Sequence, residues 1–208
     1  GVFAEESQPV EATGTMQASD GADDGQSLPT TGEQEVLAGD AGAQEKTIRE
    51  SSVLDMANGS VVIGRDTYSQ GDSEEIPIPA DGLVIGGTSD EYTITVDPGQ
   101  GETAAFSISG LSLTASGDNS LIDIKSGSAT ITLTGENTLT GVGGNFSAPL
   151  RISDGQALTV EGDGSLSIVN GTSDAADHGA AIGGSAGEDG GSITIKSGTV
   201  RVEQYGPG

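Results

Sequence analysis

From Ser52 onward the chain runs in short apolar–polar alternations of three to five residues, each closed by Gly, Asn, Asp or Ser. SVVIG, YTITV, ATITLTG, ALTVEG, SLSIV and SITIK are examples. Alternation at period two marks a strand with one buried face, and runs this short and this closely bounded by glycine do not suit helices. The order of the runs repeats. One set is TITV at 93, LIDI at 121, LRIS at 150 and AIGG at 181. A second is FSIS at 106, ITLT at 131, LTVE at 158 and ITIK at 193. A third is LSLT at 111, TLTG at 138, LSIV at 166 and VRVE at 200. Within each set the spacing is near 28 residues, and in the second and third sets it stretches to 35 and 34 in the last step.

Three runs per period mean three strands per turn, each lying above its counterpart of the turn before. That is the arithmetic of an all-β, right-handed, single-stranded parallel β-helix of triangular cross-section. The alternation sends Ile122, Ile124, Ile131, Leu133, Leu158, Val160, Ile193 and Ile195 inward, and Thr132, Thr134, Thr159, Thr194 and Lys196 outward. Each rung gains from stacking a core it could not form alone. Residues 92–208 form the coils and 51–91 an N-terminal cap or first irregular coil. A sandwich of antiparallel strands is the runner-up, because short strands with turn signals at this spacing also suit it. The chain stops just after a third-set strand. A bare solenoid end exposes unpaired backbone, so more coils are expected beyond Gly208.

Composition agrees with a narrow core. Of 208 residues 35 are glycine and only 3% are aromatic, and there is no cysteine or tryptophan. Disulfides and thiolate metal sites are therefore excluded. Thirty-two acids against seven bases give a net charge of −25. A nucleic-acid partner needs a basic face, so that class is excluded, as is an anionic membrane surface. No apolar run approaches the ~20 residues of a membrane span.

Residues 1–50 lack sustained periodicity and hold eleven acids against two bases. Such a segment buries too little apolar surface to offset its ordering entropy and reads as a disordered, self-repelling linker. Val2 and Ala4 suit positions −3 and −1 of a signal-peptidase cut before Glu5, so 1–4 read as a signal-peptide remnant of an exported chain. LPTTG at 28–32 matches a cell-wall sorting signal, but no apolar stretch and basic tail follow it, and it reads as coincidence.

The stretch GAAIGGSAGEDGGSITIKSGTVRVEQYG, with VLDMANGSVVIG, LIDIKSGSATITLTGENTLTG and LRISDGQALTVEGDGSLSIVNG upstream, resembles a repeat of Gram-positive surface proteins. These are described as carbohydrate-binding-domain proteins. The resemblance covers roughly 52–208. It implies a right-handed parallel β-helix, pectate-lyase-like in architecture but acting as a binder, on a secreted or wall-attached protein, with calcium binding reported for relatives. The expected function is an adhesin-like, non-enzymatic polysaccharide-binding module. A structural stalk of a larger surface protein and a pectate-type lyase of acidic polysaccharides are the alternatives.

The glycine-rich half of the last repeat lacks the GxxxxGK[ST] of a phosphate loop and reads as a corner of the scaffold, with GSAGEDGG as extra length. Asp154, Asp163, Asp174, Asp177, Glu188 and Asp189 fall on loops. Carboxylates with loop carbonyls are the hard donors calcium takes, so Asp154, Asp163, Glu188 and Asp189 are the candidate calcium ligands. Solvated turn residues that favour αL and Asx-turns are the stronger reading of the same acids. No cofactor is required; a bound cation such as calcium would bridge the protein to an acidic plant or host glycan. Tyr205 and Phe146 are the aromatic candidates for sugar contact, and Arg151, outward on its strand near Asp123, is the cationic one. The single histidine, His178, leaves no Ser–His or metal–His cluster. The module is expected to be a monomer within a longer chain.

Overall fold

The structure is a computed structural model and describes residues 53–115, 117–141, 147–171 and 179–205. The expected linker and signal remnant over 1–50, and Phe146, Asp174, Asp177 and His178, lie outside the described residues. The chain divides into units 1–46 and 47–208, and every described residue belongs to the second.

The elements begin with β1 (Leu54–Asp55), a 3₁₀ turn (Met56–Asn58), β2 (Val61–Ile63), β3 (Thr67–Gln70), β4 (Ile76–Pro77) and β5 (Val84–Ser89). There follow β6 (Ile94–Val96), β7 (Thr103–Thr114), β8 (Ile122–Ile124), β9 (Ser128–Thr134), β10 (Glu136–Thr140) and β11 (Leu150–Ile152). The last are β12 (Ala157–Gly162), β13 (Ser165–Asn170), β14 (Ile182–Gly183), β15 (Ser192–Ile195) and β16 (Thr199–Gln204). The described residues are all-β apart from the single 3₁₀ turn.

These strands pair into three parallel ladders. The first runs β2, β6, β8, β11, β14. The second joins the first half of β5 to the first half of β7, then β9, β12 and β15. The third joins the second halves of β5 and β7 to β10, β13 and β16. The antiparallel sandwich is thereby overturned: among the described residues the only antiparallel strand pairs join β3 to β2 and β4 to β3, beyond the head of the first ladder. Parallel pairing follows from the sequence order. Each strand of a ladder meets the strand about one period later, and the ladder strands all point the same way.

Inward positions stack into columns. Ile94, Ile122 and Leu150 form one, Phe106, Ile131 and Val160 a second, and Leu113, Leu139 and Ile168 a third. All nine are buried, none more than 4% exposed. Each fully buried aliphatic side chain contributes roughly 1.5–3 kcal/mol relative to an exposed one. Aligning the runs by their first residue sets Ile131 opposite Leu158, whereas the structure pairs Ile131 with Val160 and Ala129 with Leu158. A slip of two keeps every side chain on its own face, so alternation alone cannot detect it.

Ile193 and Ile195 keep the inward register, opposite Leu158 and Val160, but not the burial expected of them. They are 40% and 52% exposed, where Leu158 and Val160 one rung earlier are buried. Both sit on β15, the edge strand of its ladder among the described residues, and β12 covers them from one side only.

The turn between the second and third ladders relies on backbone chemistry. Gly110 and Gly135 stand at the same place in successive rungs, each with φ of +62°, a conformation that costs other residues. One residue past β10's start, Asn137 is 2% exposed. Its Oδ1 accepts from the Leu111 N–H at 3.0 Å, and its Nδ2 donates to the carbonyls of Thr134 at 3.2 Å and Ser165 at 3.0 Å. One amide thus ties three consecutive rungs at the corner.

Ile131→Ala should lower unfolding stability by about 2–4 kcal/mol through transfer and cavity terms, and Ile195→Ala by less than ~1 kcal/mol. Urea titration of the two variants checks the difference. In the same assay Asn137→Ala should cost about 2–3 kcal/mol, because it strands buried backbone groups of two other rungs.

Candidate ligand-binding site

The outward residues of the first ladder come into line because the register is unbroken. Thr95 pairs with Asp123, and Asp123 with Arg151. Each flanks two buried aliphatic residues on its strand, so each must face away from the core. They form the floor of an open groove of about 630 Å³. One wall is the set of corners entering β6, β8 and β11, which carry Glu91, Asp118, Asn119, Ser120 and Ser147. The other wall is the corners leaving β8 and β14, with Lys125, Ser185 and Glu188.

The corner lengths explain this second wall. Three residues separate β8 from β9 and four separate β11 from β12, but eight, 184–191, separate β14 from β15. The extra length carries Glu188 back over the floor. Ser185 N–H donates to Glu188 Oε2 at 3.4 Å and Glu188 N–H to the Ser185 carbonyl at 2.9 Å, which close the loop on itself. A bridge between Ser153 and Gly190 fastens it to the rung above.

Arg151 is held from two sides. Its Nη1 donates to Asp123 Oδ1 at 3.2 Å. Its Nε reaches Glu188 Oε2 and its Nη2 reaches Glu188 Oε1, both at 3.1 Å. The second contact is the two-pronged guanidinium–carboxylate geometry that is stronger and more directional than a single hydrogen bond. Side-chain exposure is 27% for Arg151, 19% for Asp123 and 43% for Glu188, so the cluster is half-screened rather than buried. Partial burial acts to lower the guanidinium pKa, but the contacts with Glu188 and Asp123 outweigh it and hold the pKa above its ordinary value. Arg151 is a permanent cation.

The walls are also pinned. Asp118 Oδ1 accepts from the Ser147 N–H at 2.9 Å, linking the corners of successive rungs. Gln156 spans the opposite side: its Oε1 accepts from Ser153 N–H at 2.7 Å and its Nε2 donates to the Lys125 carbonyl at 2.8 Å. Lys125 itself makes no ion pair among the described residues. No described lining residue is aromatic, so the groove offers hydrogen-bonding groups rather than rings for stacking.

Of the residues singled out from sequence, the structure brings Arg151 and Glu188 together. Asp154 lies next to Ser153, whose bridge to Gly190 sets it near the loop of Asp189. Asp163 stands elsewhere, at the corner between β12 and β13. Among the described residues no three His, Cys, Asp or Glu side chains are grouped so as to hold a metal ion. Tyr205 follows β16, 43% exposed, and its hydroxyl donates to Glu203 Oε2 at 3.1 Å, outside the groove. Sequence reasoning had Arg151 near Asp123, and the register sets the two side by side. It missed Thr95, Asp118, Asn119 and Ser185. Thr95 was within reach, since Thr95, Asp123 and Arg151 are each 28 residues apart. The others stand on corners, which obey no period.

No family model, no curated protein and no solved structure matches this chain.

Arg151→Met should lower stability by about 1 kcal/mol, because Asp123 and Glu188 then face each other without a cation and exposure limits the penalty. Glu188→Gln should cost less than ~0.5 kcal/mol. Urea unfolding at low and high salt checks both, and the Arg151→Met deficit should shrink as salt screens the two carboxylates.

Proposed function

We propose that this chain is a non-enzymatic polysaccharide-binding module whose strands wind as a right-handed, single-stranded parallel β-helix, displayed outside the cell. The single observation that carries this reading is the floor of the groove. Thr95, Asp123 and Arg151 stand on consecutive rungs, in register, and rungs of a ladder are ~4.8 Å apart. That interval is about one sugar ring along an extended glycan. A chain laid parallel to the stack would meet one polar side chain per residue, with hydroxyl and carboxamide groups of the corners on one side. The resemblance of the GAAIGGSAGEDGGSITIKSGTV stretch to surface-protein repeats supports the same reading.

A binder is favoured over a lyase by the state of Arg151. Its guanidinium is committed to two carboxylates and its pKa is raised, so it is not a base for proton abstraction. A stalk with no ligand of its own is the second reading. The exposed Ile193, Ile195 and Val202 on β15 and β16 favour it, because they offer an apolar face on which further rungs would stack.

A glycan array probed with and without calcium should show retained ligands, and Arg151→Ala should weaken them by at least ~10-fold while circular dichroism stays that of the parent. A blank array under both conditions leaves the stalk, and release of unsaturated uronates from polygalacturonate, read by ultraviolet absorbance, would establish the lyase.

A further inference from the structure

We infer that the groove selects uncharged glycans through their paired hydroxyls and turns away uronic-acid and sulfated chains, an inference that rests on the glycan reading above. The argument begins with the charges that face the groove. Glu91, Asp118, Asp123 and Glu188 bring four carboxylates against two cations, Lys125 and Arg151. The Arg151 charge is already shared between Asp123 and Glu188, at 3.2 Å and 3.0 Å. The cluster of these three is therefore itself anionic, and only Lys125 opposes Glu91 and Asp118. From residue 51 onward the chain carries twenty-one acids and five bases, so the surroundings reinforce the sign. A polyanion would approach against this field, which at physiological salt reaches about 8 Å before it is screened.

Arg151 does not provide an escape from this conclusion. A ligand carboxylate could reach its fork only by displacing Glu188, which would exchange one two-pronged pair for another and leave Glu188 as an extra unpaired anion beside the ligand. Net attraction does not result.

Hydroxyl recognition uses the same groups well. An ionised carboxylate is an acceptor only, with two oxygens and about four lone-pair positions. Asp123 and Glu188 each give part of that capacity to Arg151 and keep the rest for adjacent hydroxyls of a sugar. Hydrogen bonds to ionised acceptors are roughly twice as strong as neutral ones. Arg151 fixes the rotamers of both carboxylates before a ligand arrives, which lowers the ordering cost of binding. Lys125 adds free donors for ring and glycosidic oxygens, and Thr95 and Ser120 add hydroxyls able to donate or accept.

Isothermal titration of the full chain with cello-, manno- and xylohexaose, hexagalacturonate and a chitosan hexamer, at about 20 and 150 mM NaCl, tests the inference. At least one neutral hexasaccharide should bind with an affinity that moves less than ~2-fold between the two salts. Hexagalacturonate should bind at least ~10-fold more weakly and should gain from added salt. The double variant Glu91→Gln, Asp118→Asn should narrow that gap. Tighter binding of hexagalacturonate than of every neutral chain, or binding of the chitosan hexamer alone, overturns the selection and leaves a glycan-binding groove. If no chain binds, and the array is also blank, the glycan reading falls and the selection with it.

Discussion

Everything in this molecule depends on one requirement: a strand in a parallel ladder needs partners on both sides for its backbone groups. Two-residue hairpins cannot satisfy it, because parallel neighbours must be joined by a long excursion. Here the excursion from a strand to its partner is a whole rung, containing a strand of each other ladder. Once that holds, the rest follows. Side chains alternate in and out with period two. Identical positions of successive rungs meet face to face, so aliphatic columns form within and polar rows without. The corners, freed from the ladder, take whatever length their chemistry allows.

The corners nevertheless are not passive. Gly110 and Gly135 supply the same positive-φ turn in successive rungs, and Asn137 closes the backbone groups that the turn leaves open. Without such groups a bend between two ladders would bury unpaired donors and acceptors. At the other bend Gln156 and the Ser153–Gly190 bridge serve a similar end. The groove is a by-product of that bracing: its floor is a polar row and its walls are the braced corners.

The sequence disclosed the strands from β6 onward, their assignment to three ladders and the inward identity of Ile122, Ile124, Ile131, Leu133, Leu158 and Val160 because period two and a rung-length period are both written in the chain. It did not disclose the registry, since Ala129 and Ile131 are equally good partners for Leu158 by face alone. Nor did it foretell the exposure of Ile193 and Ile195, which depends on what lies over an edge strand rather than on the strand itself. The site was half legible. Arg151 stood out as an outward cation, and Glu188 as an acid on an overlong corner. That the two meet is a matter of how a loop of eight residues folds back, a distance of 37 positions along the chain, and nothing local encodes it.

The unequal corners carry a consequence for how such a chain can change. Between the first and second ladders the connections are six, three, four and eight residues long in successive rungs from β6 onward, yet the columns beneath them stay in line. Corner length at these positions varies without disturbing the register below. A lineage could therefore insert, delete or recharge one corner and acquire a new ligand while its interior remained untouched. The scaffold would behave as a keyboard on which single keys are retuned, and divergence between relatives should collect at the bends and spare the rungs.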